Sequence, residues 1–116
     1  MKQIAAYERR AFLKDHPPIT ERKLIASAGT ETVYLTGTVL GLKNDKHEPW
    51  KSTSDSVSCI LAEDVTVPAA GDVWALAYVH AAVIASELVW ADGVSATDQK
   101  KALAALRAIG LHASEA

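Results

Sequence analysis

One cysteine, one methionine and one phenylalanine occur in the 116 residues. A single thiol, Cys59, excludes an intramolecular disulfide framework and suits a reducing compartment. Basic residues are missing from a whole stretch, since no Lys or Arg lies between Lys51 and Lys100. Phosphate-gripping sites need such groups converging on the anion, which argues against a nucleotide hydrolase in the body of the chain. Gly37 to Gly41 lacks the lysine and spacing of a phosphate loop, and no G-x-S-x-G elbow is present. The opening residues MKQIAAYERR carry no sustained apolar core, so no signal peptide is expected. Internal repeats and low-complexity tracts are absent as well.

The longest apolar run, Val73 to Ala91, is long enough in principle for a membrane span. It contains His80, Ser86 and Glu87 and is flanked by Asp72 and Asp92. A spanning helix wants uncharged apolar residues and basic flanks, so one or two buried strands are the better reading. No membrane partner is expected.

What is present points to one modest domain. Hydrophobic residues make up 49% and charged residues 22%, ordinary values for a globular protein. Net charge is −2, but its distribution is uneven. Residues 1–23 hold six basic residues against three acidic ones, and the remainder holds six against eleven. Residues 1–22 are therefore read as a basic N-terminal arm and 23–116 as the folded domain. A basic leader can bind nucleic acid or an acidic protein surface. Without interleaved aromatics for base stacking, no direct nucleic-acid contact is expected.

Along the chain, Ile4 to Lys14 has the spacing of a short helix, stopped by His16-Pro17-Pro18. Ile19 to Ala28 reads as extended, Thr32 to Thr36 as a strand, and Gly37 to Gly41 as a short strand between glycines. Lys43 to Pro49 reads as a polar turn, and Ser52 to Asp55 as another. Ser56 to Ala62 is a strand that Glu63 to Pro68 continues irregularly, before a turn at Ala69–Asp72. Turns about ten residues apart predict an antiparallel barrel or bent ribbon. The firmest local element is a helix from Ser95 to Ile109. Ser95 and Asp98 form its capping signal, Ala102, Leu103, Ala105, Leu106 and Ile109 share a face, and Gly110 stops it. Leu111 and His112 are expected to add one extended contact.

Side chains with chemistry are scattered. His16, His47, His80 and His112 have no ligand partner at metal-site spacing, so no metal or cofactor is expected. His47-Glu48 reads as a solvated turn, His80 as a core histidine, and Cys59 as a small buried hydrophobe. Glu63 and Asp64 are adjacent on a strand and point to opposite faces, which is poor geometry for an acid–base pair. Trp74 reads as core, whereas Trp90, just before a turn, is placed to serve a neighbour. No catalytic residue is expected.

Four segments, in order, resemble the phage lambda head decoration protein family. They are Lys23-Leu24-Ile25-Ala26-Ser27-Ala28-Gly29, Gly37-Thr38-Val39-Leu40-Gly41, Ser58-Cys59-Ile60-Leu61-Ala62-Glu63-Asp64, and Leu88-Val89-Trp90 followed by Lys100-Lys101 and the Ala/Leu helix. The resemblance spans roughly residues 17–112 and leaves Ile4 to Lys14 outside it. It implies a mainly β fold of the β-clip type, a bent ribbon or incomplete barrel with one short C-terminal helix and an extended N-terminal arm. It also implies a non-enzymatic homotrimer at three-fold sites of the expanded head, bound to the major capsid (coat) protein and holding the shell against DNA pressure. Such a protein is made in the host bacterial cytoplasm and ends on the capsid surface. Expected arm contacts are Pro17, Pro18, Ile19, Leu24 and Ile25, and expected trimer contacts are Trp50, Tyr78, Trp90, Leu103 and Leu106. The rival readings are a small trimeric β-barrel binding module and a nucleic-acid-binding regulator that uses the leader.

Overall fold

Two strands show how the molecule is layered. In β3 (Val39–Lys43) the consecutive residues Val39 and Leu40 are both buried, and in β5 (Ser56–Leu61) so are Cys59, Ile60 and Leu61. Side chains alternate across a strand, so a sheet with such runs must be covered on both faces. The computed structural model, which describes residues 18–51 and 55–114, shows what covers each face. Leu40, Cys59 and Leu61 point into a barrel, where they meet Ile25, Ala75 and Ala77. Val39 and Ile60 point outward into a second core with Trp50, Leu106 and Leu111.

The barrel has five strands in mixed orientation. β1 (Ile19–Ile25), β4 (Lys46–Pro49), β3, β5 and β7 (Val73–Ile84) are neighbours in that order, and β1 pairs antiparallel with β7 to close the ring. The fold is mainly β, as expected. β7 is long enough to serve two structures. Its first half pairs with β1, and its last four residues pair in parallel with β8 (Leu111–Ser114). Beside the barrel, β2 (Thr32–Tyr34) and β6 (Val65–Val67) form a separate two-stranded ribbon, with Val67 buried against the barrel core.

The single helix, α1 (Ala96–Ala108), packs on β5 and β8 and covers the outer core with Ala102 and Leu106. The Ser95 hydroxyl accepts the Asp98 N–H at 3.1 Å, and Asp98 and Arg107 sit at the helix ends that suit their charges. Gly110 ends the helix at φ +102° and lies flat against the His80 ring; a Cβ there would stand 2.5 Å from His80 Cδ2. Only glycine meets both demands at this corner. Among the described residues no helix is long and apolar enough to cross a membrane.

Several expectations change. Lys43 to Pro49 is not a turn but most of a hairpin, because Asn44 and Asp45 at φ 53° and 66° make the reversal in two residues and free Lys46–Pro49 to form β4. His47 is consequently a buried strand residue, 7% exposed, rather than part of a solvated turn. Glu63 to Pro68 does not continue β5. The Asp64 carboxylate accepts the Thr36 N–H and hydroxyl at 2.7 and 3.0 Å, and the chain turns away to pair β6 with β2. Ala105 and Ile109 are exposed, because α1 buries a stripe narrower than its apolar face. Trp74 is 61% exposed rather than core, since the inward positions of β7 belong to Ala75 and Ala77. The expected helix Ile4–Lys14, Pro17 and the turn residues Ser52 to Ser54 lie outside the described residues.

Candidate functional site

Among the described residues, the wall formed by β1 and β7 lacks the outer cover that β3 and β5 possess. Cross-strand register places Leu24 opposite Trp74 and Arg22 opposite Leu76. Ile25 and Ala75 face the interior, so alternation turns Leu24, Arg22, Trp74 and Leu76 outward. Trp74 is more than half exposed and Leu76 is 38% exposed, which leaves an apolar strip open to solvent, and Ile19, beyond a register shift at the start of β1, is more than half exposed as well. Such a strip marks an interaction surface more often than a folding requirement.

The same strand has an open backbone edge. β1 meets β4 through one register pair, Ile25 with His47, where the Ala26 N–H donates to the His47 carbonyl at 2.8 Å. From Ile19 to Leu24 β1 is paired on its β7 side only, among the described residues. Hydrogen-bonding directions alternate along a strand, so the backbone groups of Thr20 and Arg22 face the unpaired side. This edge and the apolar strip are two aspects of one strand. A further carboxylate is spent on β7, where Glu63 Oε2 accepts the Leu76 N–H at 2.8 Å beyond the end of β5.

At the C-terminal end of β1 the strand is fixed firmly. The Asp72 carboxylate accepts the Ser27 N–H at 2.8 Å and pairs with Lys46 Nζ at 2.7 Å, joining β1, β4 and the turn before β7. Lys46 first and the Ser27 amide second hold the Asp72 carboxyl below its ordinary value. The Thr36 backbone and side-chain donors do the same for Asp64. Both carboxylates thus serve as structural acceptors.

Inside the barrel, His47 Nδ1 stands 3.9 Å from Cys59 Sγ. Burial pushes the Cys59 thiol up to about 11, so at neutral pH it is a protonated, inert group rather than a nucleophile. Burial, and then the Lys23 ammonium, push His47 below its ordinary value. Lys23 is itself paired with Glu21 at 2.9 Å. No group of three His, Cys, Asp or Glu side chains among the described residues is placed to hold a metal ion. An open groove of about 730 Å³ beside β2 is lined by Val33, Leu35, Pro49, Trp90, Glu48 and Lys51, among others, and gathers no acid–base or nucleophilic set.

The comparison with protein families decides what kind of molecule this is. Residues 4–111 match the model of the bacteriophage lambda head decoration protein D family. The chain belongs to that family. Its members are structural proteins of the phage head surface and not enzymes. The match begins at residue 4, so Ile4 to Lys14, left outside the resemblance read from the sequence, falls within the family's extent. A comparison with curated proteins returned no match.

Set against this identity, the expected contact residues divide. Ile19 is exposed, and Pro18 and Leu24 are half-buried at or beside the open strip. Ile25 is fully buried in the barrel core, so its side chain has no surface to offer a partner. Trp50, Tyr78 and Leu106, expected at a trimer contact, are at most 7% exposed and belong to the outer core of one chain. Trp90 and Leu103 are only partly buried against that core, and the Trp90 ring meets Trp50 edge-on at 6.3 Å and 69°. Trp74, weighed from the sequence as a contact but read as core, and Leu76, which was not singled out, lie on the exposed strip. A signal existed in the alternation of large and small in Trp74-Ala75-Leu76-Ala77, because the inner face of β7 shares a small barrel with Ile25, Leu40 and Leu61 and leaves little room for further large side chains.

Proposed function

We propose that this decoration protein binds the coat protein through the outer strip and open edge of β1. The strip offers Leu24, Trp74 and Leu76 for apolar burial, exposed Ile19 at the start of the strand adds to it, and the backbone of Thr20 and Arg22 accepts an added coat strand. Family membership supplies the context, and the uncovered strip on the strand that leads out of the basic leader is the observation that carries the assignment. The leader, with Pro17 and Pro18, extends the same contact. Trimers at three-fold positions of the expanded head multiply each contact, and many copies clamp neighbouring coat subunits against internal DNA pressure. Trp90 and Leu103 are the trimer contacts consistent with burial in one chain.

Two measurements test this reading. Light scattering should give three chains per particle, in solution or after recovery from shells. Purified protein should also saturate expanded shells of its coat partner, whereas a double variant Ile19→Ser/Leu76→Ser should keep its fold and lose at least about tenfold in shell affinity. Full occupancy by the folded double variant would assign the coat contact elsewhere.

A further inference from the structure

We propose that His47 is a pH-sensitive latch that holds the root of β1 to β4. The bridge between Ile25 and His47 is the one register pair joining these strands, and it closes the barrel at the point where β1 emerges. The backbone of His47 makes the bridge while its side chain is buried, so a change in the charge of the ring bears on the same residue that accepts the Ala26 N–H.

Among the described residues, the Glu21 carboxylate, which acts on the neighbouring Cys59, is already committed to Lys23. From β1 the His47 ring faces Lys23, whose ammonium is already engaged by Glu21. From β5 it faces Cys59, whose thiol stays protonated because burial pushes it up to about 11. β3 places the uncharged Leu42 opposite it, and the inward residues of β7, Val73, Ala75, Ala77 and Val79, are uncharged. On its own strand Lys46 is held by Asp72 and Glu48 lies near Lys51. Protonation would therefore put a second cation beside Lys23 in the barrel interior, and the strain would be relieved by parting β1 from β4.

The direction follows from the lowered value of His47 relative to its ordinary 6.5. The unfolded or opened chain takes the proton more readily than the closed barrel. The latch is fully effective above 6.5 and weakens as pH falls below it. The Asp72–Lys46 clasp stays intact in this window, because the Asp72 carboxyl is held below the usual carboxylate range. What loosening would do on a shell rests on the coat contact proposed above: acid would widen the gap between β1 and β4 beside the open edge of β1, while β7 and the Asp72–Lys46 clasp keep the strand in place.

Hydrogen exchange on the free full-length protein tests the latch apart from any coat binding, so either proposal can fail alone. Between about pH 7.5 and about pH 5 the protection factor of the Ala26 amide should fall about tenfold relative to that of the Leu61 amide, which donates to Thr38 in the opposite wall. In His47→Gln the difference should vanish. Equal protection at both pH values, or the same fall in His47→Gln, would overturn the proposal. Should that variant fail to fold, Lys23→Met provides the second arm: its His47 ring should titrate at a higher pH than in the parent. An unchanged His47 midpoint would also overturn the proposal.

Discussion

The β3–β5 wall and the β1–β7 wall of the barrel use similar aliphatic and aromatic residues and treat their outer faces in opposite ways. Outward Val39 and Ile60 are sealed under α1 and β8. Outward Trp74 and Leu76 meet solvent. Both walls line the same interior, so the difference is not demanded by the barrel. An apolar outer face with a helix over it is core, and one exposed beside the strand that follows the leader is, in the function proposed above, surface for a partner.

Substitutions on the two walls can break or sharpen this comparison. The largest effect is expected from Leu106→Ala, which empties a fully buried position beneath α1. Chemical denaturation should show a loss of about 3 kcal/mol. Gly110→Ala should follow at about 2 kcal/mol, because the left-handed backbone and the approach to His80 both oppose a Cβ. Removal of the helix cap by Ser95→Ala should lower stability by about 1 kcal/mol in the same experiment, with no change in shell binding. The smallest stability effect is expected at the largest exposed side chain. Trp74→Ala should shift the unfolding midpoint by no more than about 0.5 kcal/mol while shell affinity drops at least about tenfold. A destabilisation by Trp74→Ala comparable to that of Leu106→Ala would make the β1–β7 face structural and dissolve the distinction.

Legibility varied with the range of the interactions concerned. The helix was readable from Ser95 to Gly110 because caps and stops act within one turn. β5 was readable in Ser56–Leu61 because β-branched and apolar residues cluster between turn signals. The β3–β4 hairpin was obscured, since Asn44-Asp45 is a weaker turn signal than Asn-Gly and the polar Lys46, His47 and Glu48 masked a strand. Apolar character alone marked Trp50, Tyr78, Leu106 and Ile25 as contact candidates, but burial within one chain had already claimed them. Hydrophobicity says that a side chain leaves water and not which surface it joins.

By itself the sequence determined a mainly β chain with one capped C-terminal helix and membership, over residues 4–111, of a head decoration family whose members are structural. Those properties rest on local propensity, residue chemistry and ordered motifs. Tertiary structure alone decided which face of each strand is inside, that β7 serves both barrel and β8, and that Trp74 lies outside while Trp50 lies within. Strand parity and helix placement depend on contacts between residues far apart in the chain, and only closing the barrel sets them.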